Sequence, residues 1–313
     1  MHAIGGEVDP LVGTIAERSE KLRDPSTRQA MKKDADEKNL LRTDWSQLTV
    51  VDTVHERNRH FEGMTVAEIA RQNGLSVVED AAHSLGSYGE RNGGRISSAS
   101  CEQTDASVLS FHPVKHITTG EGGAVLTNNE KLYKKISLLI KHGIDRREDM
   151  FSDEDRIGAW FYDMEDLGYN YRITDFQAAL GLSQLKRLDQ FKARRRQIVK
   201  YYNDHFTNID ELILPFQDES VESNYHLYIL QVKENKRFDR YDLFNHLKSL
   251  NYAPMVHYIP VHLLSYYKNR FGYKLGDFPI AERFYDRAIS IPLYPSLSDA
   301  EIEKVVKDIT YFV

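Results

Sequence analysis

Apolar positions first become regular after residue 48. Thr49-Val50-Val51 reads as a short strand, and Thr65 with Glu68 forms a capping-box pattern opening a helix with Val66, Ile69 and Ala70 on its apolar face and Gly74 at its end. Leu75 to Val78 reads as the next strand, so strand, helix and strand follow one another as in a parallel sheet with crossover connections. That order puts Asp80 at the carboxyl end of a strand, where open α/β sheets gather their ligands. Ala106 to Ser110 and Gly123 to Leu126 read as two further buried strands. Asn129 then caps a helix whose Leu132, Ile136, Leu139 and Ile140 recur at helical spacing. The segment His142 to Tyr171, rich in Gly, Asp and aromatic residues, predicts a long loop used for function or subunit contact. Thr174 and Gln177 form a second capping box, which predicts one helix running to Phe206. Beyond it, Tyr225 to Val232 reads as a strand, Asp239 to Leu250 as a helix and the residues after Ser298 as a tail helix, as in a small α+β domain.

The residues before this pattern differ in kind. Glu17 to Arg42 is dense in charge, broken by Pro25 and poor in apolar periodicity, which predicts a solvated helix or an unstructured segment. The chain therefore divides into a divergent charged segment over 1–47, a large domain over 48–195 and a small domain over 196–313. With 313 residues and a hydrophobic share of 41%, it has material for a substantial core.

Composition narrows the partners. The net charge of −6 is mild and basic residues alternate with acidic ones, so no nucleic-acid footprint is present. Cys101 is the single cysteine, which excludes an internal disulfide and a multi-thiolate metal site and suits a reducing compartment. Met1 to Glu17 lacks the apolar stretch of a secretory signal, and no run approaches the roughly 20 apolar residues of a membrane helix. A cytoplasmic protein without membrane contact is the expectation.

The candidate chemistry lies between Val77 and Leu126. An acidic pair, Glu79-Asp80, ends one predicted strand, and Lys115 sits in Ser110-Phe111-His112-Pro113-Val114-Lys115-His116-Ile117-Thr118-Thr119-Gly120-Glu121-Gly122-Gly123. A lysine amine that takes an aldehyde, a carboxylate that keeps a pyridine nitrogen protonated, and small polar groups that receive a phosphate are the parts of a pyridoxal 5′-phosphate site. Each has a plainer alternative: Lys115 as a surface lysine, Asp80 as a helix cap, Ser110 as a strand-end cap. His257 and His262, five residues apart around Pro260, fit no common metal spacing, and no metal is expected.

The wording SFHPVKHITTGEGGAVLTN, with Glu79-Asp80-Ala81-Ala82-His83 upstream, resembles the sugar aminotransferases of the DegT/DnrJ/EryC1/StrS family. Within it, the motif is most similar to the branch that aminates C4 of UDP-linked 4-keto-6-deoxy-N-acetylhexosamines on the route to pseudaminic acid. The resemblance runs from about Val50 to the C-terminus. It implies an aspartate-aminotransferase-like fold of type I, with a mainly parallel large-domain sheet, and a homodimer taking its amino group from glutamate. It further implies that Lys115 is the cofactor lysine and Asp80 the partner of the pyridine nitrogen, with His83 against the ring or its phenolic oxygen and Ser110 on the phosphate. Asn170 would reach the neighbouring subunit's phosphate, and His257 and Tyr258 would border the sugar. His83 as a core histidine and Asn170 as a turn residue stay open. The family carries about 50 more residues before the matching region, including a Gly-Thr turn that grips the phosphate, for which Gly13-Thr14 is the only candidate. An impaired homologue acting as a binding or interaction subunit is therefore the alternative function.

Overall fold

The computed structural model describes residues 60–61, 64–72, 74–91, 94–145, 160–235 and 237–313. The expected strand at Thr49–Val51, the charged segment and Gly13-Thr14 lie outside them. The chain divides into Met1–Trp45 and Ser46–Val313, and everything that follows belongs to the second unit.

The elements run as follows. β1 (His60–Phe61) and β2 (Met64–Thr65) lead into α1 (Val66–Gln72), then β3 (Val78–Asp80), β4 (Tyr88–Arg91), β5 (Gly94–Ser97), β6 (Ala106–Ser110) and β7 (Gly123–Leu126). Next come α2 (Glu130–Leu139), β8 (Ile144–Asp145), β9 (Asp163–Met164), α3 (Asp175–Leu185) and α4 (Leu188–Phe206). The last stretch holds β10 (Leu212–Ile213), β11 (Val221–Glu222), β12 (Tyr228–Val232), α5 (Arg240–Ser249), α6 (Ser265–Phe271), α7 (Pro279–Arg287), β13 (Ala288–Ile291) and α8 (Asp299–Phe312).

Among the described residues the apolar side chains gather into two cores. The first lies under the sheet β3-β6-β7, where β3 pairs parallel to β6 and β7 antiparallel to β6. Ala81, Ala99 and Leu109 are buried there, with Leu85, Phe111, Ala124 and Leu126 packed on them. Gly123 is required where β7 meets β6, because a Cβ would stand 2.6 Å from the Leu109 carbonyl oxygen, a backbone atom that cannot swing away. Glu79, buried on the same face, is matched by the Ser107 hydroxyl at 2.5 Å and the Ala99 N–H at 3.3 Å. The second, larger core fills the antiparallel sheet β10-β12-β13, where Tyr202 and Phe206 of α4 meet Tyr228 and Leu230, Leu243 of α5, Ile289 and Ile309 of α8.

Several caps form as the sequence predicts. Asn129 accepts from the Leu132 N–H at 3.1 Å, and Thr174/Gln177 and Ser298/Glu301 form full capping boxes. Gly74, at φ +60°, closes α1. Three boundaries differ from expectation. The strand expected over Leu75–Val78 forms over Val78–Asp80, because the Leu75 N–H is still held by the Ala70 carbonyl in the closing turn of α1. The helix expected from Thr174 to Phe206 is two helices. At the junction the Arg187 N–H bonds the Gln184 carbonyl three residues back, and Arg187, at φ −103°, ψ 0°, precedes α4 without a side-chain cap. No glycine or proline marks this break: α3 seats Gly181 against the Thr119 methyl, whereas α4 is drawn into the second core. The strand expected from Tyr225 starts at Tyr228, because Tyr225 takes a left-handed φ of +49° that cannot continue a strand.

Candidate functional site

The carboxyl ends of β3 and β6 lie side by side, in register from Val78↔Ala106 to Asp80↔Val108. Asp80 ends β3 and its Oδ1 accepts the Ala82 N–H at 3.0 Å, so the carboxylate also shapes the turn that carries His83. Ser110 ends β6, its hydroxyl 3.4 Å from the His112 N–H. The loop that follows is tied down at both shoulders: Thr119 N–H and Thr118 Oγ1 donate to the Phe111 carbonyl at 3.0 and 3.1 Å, and Phe111 N–H donates to the Gly122 carbonyl at 2.9 Å. Lys115 sits inside this braced loop, half-buried.

Electrostatics identify which of these groups face one another. Burial lowers the Lys115 amine below the ordinary lysine range, and Asp80 opposes that by favouring the ammonium. His83 is pushed down to about 4, first by burial, then by the Lys115 charge, with Asp80 opposing and His257 adding to the fall. His257 is lowered by burial and by Lys115. Lys115, Asp80, His83 and His257 therefore form one cluster, although His257 enters from the far part of the chain. There its Nδ1 is 2.7 Å from the Ser290 hydroxyl of β13 and its ring is 4.6 Å from that of exposed Tyr258. A cavity of about 1030 Å³ opens beside the cluster, lined by Lys115, Arg187, His226, His257, Tyr258 and Tyr294 among others.

Asn170 is not drawn into this group. It is exposed, bridged through its backbone to Lys141, between the stacked rings of Tyr169 and Tyr171. The histidine pair also resolves: His262 is buried against Glu282, Nε2 to Oε1 2.8 Å, away from the Ser290 contact of His257. Among the described residues no cluster of His, Cys, Asp and Glu suits a metal ion, and no helix is long and apolar enough to cross a membrane.

Sequence reasoning missed the layer beneath His83. His226 packs its ring 4.1 Å from that of His83, His116 lies 5.0 Å beyond, and Arg195 donates to the carbonyls of Tyr225, His226 and Leu293 at 3.0 to 3.1 Å. Reading 225–232 as continuous strand hid His226. The usable signal was Asn224 ahead of it, a turn-forming residue.

Residues 49–310 match the model of the DegT/DnrJ/EryC1/StrS aminotransferase family. The spore coat polysaccharide biosynthesis protein SpsC of Bacillus subtilis is 40% identical over 257 residues, 79% of this chain and 64% of SpsC. A UDP-4-amino-4,6-dideoxy-N-acetyl-beta-L-altrosamine transaminase of Campylobacter jejuni is 34% identical over 274 residues, 87% of this chain and 66% of that protein. The chain thus spans slightly under two thirds of the length of these curated relatives. Among solved structures, Spr1654 of Streptococcus pneumoniae in its PMP form superposes with a TM-score of 0.68 at 30% identity, over 80% of this chain and 62% of that one. The fold is accordingly the aspartate-aminotransferase-like fold of type I.

Proposed function

Because this chain belongs to the DegT/DnrJ/EryC1/StrS aminotransferase family, we propose that it transfers the amino group of glutamate to the 4-keto group of a UDP-linked 6-deoxy-N-acetylhexosamine, with pyridoxal 5′-phosphate as carrier. The donor set suits that cofactor at its ring end: an amine of lowered basicity, a carboxylate and a neutral imidazole converge at two strand ends. When bound, the cofactor supplies an aldehyde to carry the amino group and a protonated pyridine ring that takes up negative charge. Lys115 would hold the cofactor at its aldehyde end, and its Nζ would move the proton of the substrate carbon. Asp80 would keep the pyridine nitrogen protonated, His83 would pack beside the ring and the Ser110 hydroxyl would receive the phosphate. His257 and Tyr258 line the sugar side of the cavity.

We further read the protein as a cytoplasmic homodimer in which Asn170 serves the partner's site, with 48–195 as cofactor domain and 196–313 as small domain. The exposed apolar stretch on and before α3, with Tyr169, Tyr171, Phe176, Leu180, Leu182 and Leu185, supports an interface beside Asn170.

The observation that carries the reading is the half-buried Lys115 amine, lowered by burial and facing Asp80. Borohydride reduction with the cofactor bound, followed by peptide mapping, should find the label on Lys115. A label on another lysine, or none despite bound cofactor, would remove Lys115 from the role.

A further inference from the structure

His226 reaches the site by a specific route. The Asn224 N–H donates to Ser87 Oγ at 3.0 Å and its Nδ2 to the Leu85 carbonyl at 2.9 Å, which anchors the segment to the turn after β3. Tyr225 then reverses the chain at φ +49°, and the His226 ring arrives against His83, centroids 4.1 Å apart and planes tilted by 35°. The His116 ring stands 5.0 Å from that of His226. His83, His226 and His116 thus form one packed group, His226 8% exposed and His116 5%.

Burial disfavours charge on this group: Asn224 Nδ2 lies 3.5 Å from His116 Nδ1, and burial outweighs the backbone hydrogen bond to Asn224 that would favour an imidazolium. His226 Nδ1 has no hydrogen-bond partner among the described residues, so ring packing is the side chain's principal contact. The charged and titratable groups facing His226 are His116, His83, Lys115 and Arg195; those facing His83 include Lys115, Asp80 and His257. Asp80 is the only anion among them. Burial and the neighbouring cations hold His116 down to about 3 and lower His226 as well.

We propose that His226 is a positioning residue: its ring backs His83, closes that side to water and keeps His83 neutral and fixed in tilt at the Asp80 end of the site. The proposal rests on the reading that Asp80 and Lys115 hold a pyridine cofactor. A ring kept cationic by Asp80 packs well on a neutral imidazole and is repelled by an imidazolium. A histidine of ordinary basicity, near 6.5, would be part-charged close to neutral pH. Burial on His226 removes that charge.

The test compares the full-length protein with His226→Ala and His226→Phe, the second keeping a flat apolar ring behind His83. Without cofactor, NMR titration of the His83 ring, assigned by its loss in His83→Gln, should show no midpoint above pH 5 in the wild type. His226→Ala should raise that midpoint by about one pH unit or more, and His226→Phe should not. With pyridoxal 5′-phosphate, His226→Ala should weaken binding about twofold at pH 5, where a midpoint raised by one unit leaves His83 about half-charged, and hardly at pH 8, while His226→Phe stays near wild type. An unchanged His83 titration in His226→Ala overturns the proposal, as does a His226→Phe protein that melts like wild type yet behaves like His226→Ala. Should His226→Ala not fold, His226→Leu is judged by the same midpoints. The titration needs no cofactor: a shifted His83 midpoint in a protein that binds none would sink the cofactor reading while upholding the coupling of His226 to His83.

Discussion

Replacing Arg195 by methionine should cost the fold heavily. The guanidinium, 4% exposed, has no carboxylate partner among the described residues, and its Nη1, with two hydrogens, is shared among three backbone carbonyls, those of Tyr225, His226 and Leu293. Burial alone lowers it to about 10. Each hydrogen bond from a charged donor is worth about 1.5–3 kcal/mol, and the carbonyls left behind would be buried and unpaired. Against that stands relief of the desolvation of a buried cation, several kcal/mol in real proteins. Three orphaned acceptors outweigh one relieved charge, and the net loss is about 2–4 kcal/mol, lowering the urea midpoint by roughly 1 M for an m-value near 3 kcal/mol/M. Arg195→Lys should recover part of the loss, because all three carbonyls gather on the single nitrogen Nη1 and an ammonium carries three donors, although on a shorter stem. Urea unfolding followed by circular dichroism measures both. A loss below about 0.5 kcal/mol in Arg195→Met would mean that the three carbonyls find other donors, refuting a dominant role for the guanidinium in holding them.

Asp80→Asn should leave the fold intact and slow the glutamate half-reaction on the order of 10², the scale of a preorganised charge; rates near wild type would reduce Asp80 to its turn bond with Ala82. Mixing Lys115→Ala with Asn170→Ala protein should restore part of the activity, because one of the two composite sites is then whole, and no restoration after proven subunit exchange would return Asn170 to its own chain. Glu282 also sets an acid limit on stability. Burial pushes its carboxyl up, but hydrogen bonds from His262, Gly276 and Phe278 outweigh this and lower it below its ordinary 4.5. A depressed folded value contributes stability that is complete above about 4.5 and fades as pH falls through the folded value. Melting curves from pH 3 to 6 should therefore be flatter at the acid end in Glu282→Gln than in the wild type, and parallel curves would disprove the linkage.

Local chemistry was readable where a few neighbouring residues settle the outcome. The braced loop around Lys115, the strand Ala106–Ser110 and the caps Asn129, Thr174 and Ser298 depend on residues within a few positions of one another. What escaped is set by contacts distant in sequence. The α3–α4 junction carries no breaker and is decided by which core each helix joins. His226 sits among strand formers, and the bonds of Asn224 to Leu85 and Ser87, the left-handed Tyr225 and the Arg195 bond to its carbonyl place it against His83. Cluster members on one side of the site could be named from the motif, but the histidines behind them belong to the tertiary fold.

The pairing of β11 with β4, Val221↔Gly89 and Glu222↔Tyr88, has a practical consequence for building hybrids of this protein. Glu222 also pairs with Arg95 and Arg196, so residues 221–226 are stitched to a hairpin more than a hundred positions earlier in the chain. A hybrid that takes its C-terminal core from a relative and crosses over at α4 would import a foreign strand, turn and His226 into a native hairpin and a native His83. Crossing after His226, at Leu227, keeps His83, His226 and His116 together and moves the seam into the second core, where α4 must then fit a foreign β12.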